Sequence, residues 1–135
     1  MEIILDADVL IRGEKGAFDL AGWLVSRRDD SFGVAAVTVA ELWHGVERAA
    51  AGHRTKRERY LRQVLGTLPI IPYTEQTAYV HARLWAALQS GGKMIGYYDV
   101  IVAATALEAG CSVATFNRRH FAAVPGLHVI EPSLE

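Results

Sequence analysis

One segment constrains this chain more than any other: YYDVIVAATALEAG, Tyr97 to Gly110. After Asp99 come Val, Ile, Val, Ala and Ala, then Thr, Ala and Leu, so the segment reads as a helix that is apolar on most sides. A helix of that kind is a core element and must be enclosed by others. Yet it opens on a carboxylate. On a helical wheel Asp99 stands about 180° from Glu108, the residue expected in water. The wheel puts Ile101 and Thr105 on the Glu108 side, and Asp99 on the inward side with Val102, Ala103 and Ala106. No Lys or Arg lies three or four residues away on the helix. An unpaired buried charge costs several kcal/mol, so the partner of Asp99 is elsewhere in the fold or is a metal ion.

The rest of the chain supplies what would enclose such a helix. EIILD (2–6), SFGVAAV (31–37), CSVATF (111–116) and LHVIEP (127–132) are short apolar runs that read as strands. LPIIPY (68–73) reads as a short strand or extended piece between prolines. Residues 6–30 predict a turn and then a helix with Phe18, Ala21, Leu24 and Val25 at helical spacing. Residues 38–52 predict a helix closed by Gly52. Residues 54–68 predict another, with Tyr60, Leu61, Val64 and Leu65 on its apolar side. Residues 74–92 predict a long amphipathic helix with a Thr start and a Gly-Gly stop. Strands alternating with helices argue for an α/β sandwich around a mostly parallel sheet. No repeat, linker or low-complexity tract divides the chain, so residues 1–135 are expected to form one domain.

Composition removes several classes of protein. No apolar run approaches the roughly 18–20 residues of a membrane helix, and the N-terminus lacks the basic region of a signal peptide. The single cysteine, Cys111, cannot form an internal disulfide, which suits a reducing cytoplasm. Net charge is −1, so the molecule as a whole is not drawn to nucleic acid. Positive charge is local: residues 53–62 (HRTKRERYLR) and 117–120 (NRRH).

In open parallel sheets ligands bind beyond the carboxyl ends of the strands. The polar residues that follow the strands are therefore the ones to weigh. Asp6 ends the first strand and Asp8 follows it; either can cap the next helix. Glu41 follows the second strand in Thr38-Val-Ala-Glu41, a pattern that fits a capping box and places Glu41 in a first helical turn. Asp99 opens the apolar helix, where the macrodipole favours an acid. Asn117 follows CSVATF, a position that also suits a plain turn. Three acids and an amide thus share one expected edge of one sheet. Clustered carboxylates repel and raise one another's pKa, and a divalent cation removes that penalty. Oxygen donors without a His/Cys cluster suit Mg²⁺ or Mn²⁺ rather than Zn²⁺, and such ions serve phosphoryl chemistry.

Four stretches in order, ILDADVLIRG, VTVAELWHGVERA, IGYYDVIVAATALEAG and VATFNRRHFAAVPGL, resemble the PIN domain, specifically the VapC-type toxin ribonucleases of bacterial toxin–antitoxin pairs. The resemblance covers nearly the whole chain. It implies a three-layer α/β/α sandwich with a central five-stranded parallel sheet. It also implies an acidic cluster of Asp6, Glu41 and Asp99, with Asp6 and Asp99 the foremost metal ligands, and Asn117 at a fourth position that is Asp in many relatives. The implied activity is endonucleolytic hydrolysis of RNA, often tRNA, with Mg²⁺ or Mn²⁺. A VapB-like antitoxin and a homodimer are the implied partners. Asp8 departs from the family, which mostly has Asn, Ser or Thr there; it is expected as a spare ligand or as an acceptor behind the ligands, with Thr38 and Thr115 in similar supporting places. Arg118, Arg119 and Arg12 are the RNA-contact candidates. The basic helix at 54–62 is a further candidate for phosphate contacts, weighed against a solvated or antitoxin-facing surface. Trp23, Trp43 and Trp85 are expected in the core or a dimer interface rather than stacked on bases. His44, His53 and His81 show no ligand spacing, and His120, at a position that varies in the family, is assigned no catalytic role.

Two rivals differ in class. IILDADVL also resembles the D-x-D motif of haloacid-dehalogenase-type phosphatases, but Leu10 stands where that family wants Thr, and no late acidic pair follows a strand. A non-catalytic PIN-fold binding module would be expected to have lost the acids, and Asp6, Glu41 and Asp99 are all present.

Overall fold

The computed structural model describes residues 1–133. Strand β1 (Glu2–Leu5) runs into helix α1 (Ala7–Glu14), followed by α2 (Leu20–Ser26), β2 (Ser31–Ala35), α3 (Ala36–Arg48) and α4 (Ala51–Leu65). Then come β3 (Ile70–Ile71), α5 (Glu75–Ser90), α6 (Tyr97–Ala109), β4 (Ser112–Ala114), the short α7 (Arg118–Phe121) and β5 (Val129–Ile130).

The five strands form one sheet in the order β3-β2-β1-β4-β5, and every neighbouring pair is parallel. A parallel sheet is covered on both faces, and strand side chains alternate between the faces. Ile3 and Leu5 of β1, Val34 of β2 and Ala114 of β4 enter one core with Leu10, Leu20, Trp23, Leu42, Val46 and Leu61. Ile4, Ala35 and Val113, one residue out of step, enter a second core with Leu84, Leu88, Val102, Ala103, Ala106 and Phe121. The expected three-layer α/β/α sandwich is thus the fold.

Helix α6 is the centre of the second layer. Every residue from Val100 to Ala106 is buried, including Ile101 and Thr105, which the wheel placed toward water. The helix lies between α5 and the sheet and also touches α3 and α7, so it has no open long side, and only its ends emerge. Gly110 closes it with φ 72, a left-handed conformation that glycine adopts without Cβ strain.

Other local expectations are corrected. Residues 7–14, read as a turn, are helix α1: Asp6, not Asp8, is its N-cap, and Val9 and Leu10 on it are fully buried. Its partner α2 is short, with Leu20 and Trp23 as its buried residues, whereas Val25 is exposed. There is no capping box at Thr38 and Glu41. Strand β2 turns straight into α3 with Ala35 as N-cap, so both residues stand further inside the helix than expected. Gly52 does not end α3; the chain breaks at Ala49, in extended conformation, and Gly52 lies in the first turn of α4. Trp23 is core and Trp43 packs against it partly buried, but Trp85 is 47% exposed.

Candidate active site

Strand order reverses across β1 and β4: β2 and β3 lie to one side of β1, β4 and β5 to the other. That switch point leaves a crevice beyond the strands' carboxyl ends. Asp6 leaves β1 there, with its N–H still donating to Ala114 O of β4 at 2.9 Å. Thr115 leaves β4 beside it, with its own N–H donating to Ile130 O at 2.9 Å. The sheet ladder thus extends one residue into the site on both strands.

Asp6 is buried and has both oxygens engaged. Oδ1 accepts from Ala7 N–H at 2.9 Å and Oδ2 accepts from the Thr115 hydroxyl at 2.8 Å. Thr115 Oγ1 in turn accepts from Asn117 N–H at 2.9 Å. Asp8 accepts from Phe116 N–H at 3.0 Å, and its two oxygens lie 3.4 Å from Thr115 Oγ1. Asp8 therefore ties α1 to the β4–α7 turn, a task that a neutral Asn or Ser acceptor would also perform. These bonds favour the ionised acids, but burial wins. Asp6 is pushed up to about 6, first by burial and then by the neighbouring charge of Asp8. Asp8 is also raised, chiefly by burial, with the Phe116 N–H opposing.

Glu41 projects from α3 toward the same acids. Burial raises its carboxyl to about 7, with Asp6, Asp99 and Asp8 adding to the shift. Its Oε1 is buried with no hydrogen-bond partner. Thr38, one turn earlier, is fully buried, and its hydroxyl also has no partner, so it makes no supporting bond to Glu41 here.

Asp99 stands at the N-terminal turn of α6, with its carboxylate 20% exposed at the rim of the site. Its partner is His120, whose Nδ1 lies 2.9 Å from Asp99 Oδ2. The same Nδ1 is 2.8 Å from Nδ2 of Asn117. His120 is the residue that sequence reasoning missed. It follows Asn117 by three positions on a helix of four residues, too short to show a periodicity, and only the fold brings it across to α6. A polar cavity of about 390 Å³ opens there, lined by Phe116, Asn117, Arg118, Arg119, His120 and Glu131. Arg118 and Arg119 are exposed on it. Arg12 is exposed too, with its guanidinium 4.3 Å over the Phe116 ring, on the Asp8 side of the site.

The fold thus brings Asp6, Asp8, Glu41 and Asp99 to one crevice, with Thr115 and Asn117 beside them. Among the described residues, no three His, Cys, Asp or Glu side chains are arranged to hold a metal ion unaided. The donor set still fits a hard cation. Mg²⁺ is commonly bound by one or two carboxylates, with water and substrate phosphates filling the rest, and Glu41 Oε1 is a buried acceptor without a donor.

Comparison with known proteins agrees with this fold. The profile of the PIN domain family matches residues 3–127. A VapC ribonuclease of Sinorhizobium fredii, Y4jK, is 33% identical over 136 residues, with 96% of each chain covered. The chain belongs to the PIN domain family, in its VapC branch. The fold of VapBC2 from Rickettsia felis, solved on a DNA fragment from its promoter, superposes with a TM-score of 0.88 over 96% of this chain and 97% of that one, at 21% identity. VapBC-5 of Mycobacterium tuberculosis, a member of the VapBC family of toxin–antitoxin systems, is 28% identical, with a TM-score of 0.76 over 96% of this PIN domain and 98% of that chain.

Proposed function

We propose that this PIN domain is a metal-dependent endoribonuclease, the toxin of a VapBC-type pair, which hydrolyses a phosphodiester bond in structured RNA, with tRNA the first class to examine. The observation that carries the reading is the set of four acids at the switch point, of which Asp6 and Glu41 are raised toward neutrality by burial first and then by neighbouring acids, Asp8 on Asp6 and Asp6 on Glu41. A site that holds four acids with Arg12 beside Asp8 as the one guanidinium, among the described residues, acting on them has a use for a cation. Asp6 and Asp99 would hold Mg²⁺ or Mn²⁺, with Glu41 facing them. When bound, the ion supplies positive charge against the scissile phosphate and lowers the pKa of a water.

The chain's own residues do the rest. Thr115 and Ala7 N–H keep the Asp6 carboxylate in one orientation. The exposed Arg118 and Arg119 beside Asn117 offer phosphate contacts on one flank of the acids, and Arg12 offers another on the far flank. The likeness to VapBC complexes supports a VapB-like antitoxin that covers the groove and holds the activity in check. Exposed Tyr73, Tyr79, Trp85, Met94 and Tyr97, on α5 and the residues flanking it, give a second copy an apolar face to cover, in keeping with a homodimer. Among the described residues no helix is long and apolar enough to cross a membrane, and an RNA-cutting toxin with a lone thiol belongs in the cytoplasm.

The test is cleavage of purified RNA by the free protein, with Mg²⁺, Mn²⁺ or a chelator, alongside growth after expression without a partner. Wild type should cut RNA only with metal and arrest growth. Asp6→Asn and Asp99→Asn should each lower cleavage more than about 100-fold, beyond the usual loss for a residue behind a metal ligand, and relieve the arrest. Should both variants cut and arrest as wild type does, the assignment of the site is wrong.

A further inference from the structure

We infer that His120 is a positioning residue for Asp99: its Nδ1–H, together with the missing side chain at Gly96, fixes which oxygen of Asp99 is left for a cation. The inference rests on the proposed function in so far as Asp99 is a metal ligand.

Two independent pieces of geometry meet on Asp99 Oδ2. First, His120 Nδ1 lies 2.9 Å from it. Second, a Cβ built on Gly96, the N-cap of α6, would stand 3.0 Å from the same oxygen. A contact that close forces the neighbour to give, so the missing side chain at Gly96 is what lets Oδ2 fold back over the helix start. There His120 holds it. Oδ1 is then the oxygen left for the crevice.

Donor and acceptor counting fixes the direction of this contact. One ring nitrogen cannot accept from the Asn117 amide and donate to Asp99 at once. If Nδ1 carried a lone pair, it would face the lone pairs of a carboxylate at 2.9 Å. With Nδ1–H donating to Asp99, the geometry closes, provided the Asn117 amide is turned so that its oxygen faces the ring. The chain Asn117–His120–Asp99 then shares one proton, with Nε2 left to solvent. Groups that orient metal ligands in this way typically change metal affinity about 10–100-fold when removed.

Substitution at His120 separates orientation from bulk. Asn carries its amide nitrogen at the place of Nδ1, whereas Gln carries it at the place of Nε2. Binding of Mn²⁺, followed by its electron paramagnetic resonance signal in the absence of RNA, should weaken about 10-fold or more in His120→Ala and His120→Gln. It should stay within about 3-fold of wild type in His120→Asn, a bound well inside that loss. Unchanged binding in His120→Ala, or equal loss in all three variants, would overturn the inference. Imidazole ¹⁵N shifts of the metal-free protein give a second reading. They should report Nδ1–H at His120 in wild type and a changed tautomer balance in Asp99→Asn; shifts that ignore Asp99→Asn overturn the inference too. If wild type takes up no Mn²⁺ at all, it is the metal reading that fails, and the His120–Asp99 contact is then judged by the ¹⁵N shifts alone.

Discussion

The two halves of the acidic crevice are built differently. The inner half, Asp6, Asp8 and Thr115, hangs on strand ends and backbone N–H groups, with each carboxylate oxygen of Asp6 engaged at 2.8 or 2.9 Å. The outer half, Glu41 and Asp99, comes from two helices. Glu41 has a buried oxygen without a donor, and Asp99 leans on one histidine that is itself 49% exposed. The inner half is therefore held in place by the protein, with a further lone pair on each Asp6 oxygen open to a cation, and the outer half is a set of acceptors short of positive charge.

The contrast between the halves can be broken most directly at Thr115. Thr115→Val removes the hydroxyl that serves both Asp6 Oδ2 and Asn117 N–H, and it leaves those two groups unpaired. A loss of about 1–3 kcal/mol in unfolding free energy, the usual cost of a stranded buried partner, is expected in a denaturant titration. A neutral result would mean that the inner half is as loose as the outer one.

A pH series tests the whole cluster. Asp6 and Glu41 have folded-state values of about 6 and about 7, above their ordinary 3.8 and 4.5. Between those limits the folded chain holds protons that the unfolded chain has lost. The contribution of these two acids to stability is complete below about pH 4 and is lost as pH rises through 6 and 7. The metal-free melting temperature should therefore carry a downward contribution over that window, and millimolar Mn²⁺ should raise it most at the upper end. A metal-induced shift that is the same at pH 5 and pH 7.5 would count against the cluster as the binding site.

Thr38→Val gives the smallest effect and the clearest sign. The hydroxyl is buried and unpartnered, so a methyl in its place should leave the metal-free protein equally stable or more stable by about 1 kcal/mol. A destabilised variant in the same titration would show that Thr38 has a partner in solution, a bridging water to Glu41 being the natural one.

Much of the fold is legible in the sequence because burial writes itself into short apolar runs. All five strands coincide with stretches whose residue types alone mark them as apolar, and the span from Tyr97 to Ala109 is a helix as its composition requires. Boundaries are less legible. Helix α1 hides behind a polar start because its cap, Asp6, is also the last residue before the site. The Thr38–Glu41 spacing imitates a capping box only because a strand enters α3 without a polar cap. The wheel for Asp99 assumed one wet side; a helix enclosed all round has none, and its acid is accommodated at the end instead.

The site divides along the same line. Asp6, Asp8, Glu41, Asp99 and Asn117 are each visible from the sequence, since acids that follow apolar strands or open apolar helices stand out. Which atoms meet is not visible. The pairing of β1 with β4 joins Thr115 to Asp6 across 109 positions of chain, and the folding of α7 against α6 sets His120 on Asp99. Local sequence records the hydrophobic periodicity and helix-end chemistry that act over a few residues. Contacts between remote residues depend on strand order and on the space left between packed layers, and only the assembled fold supplies those.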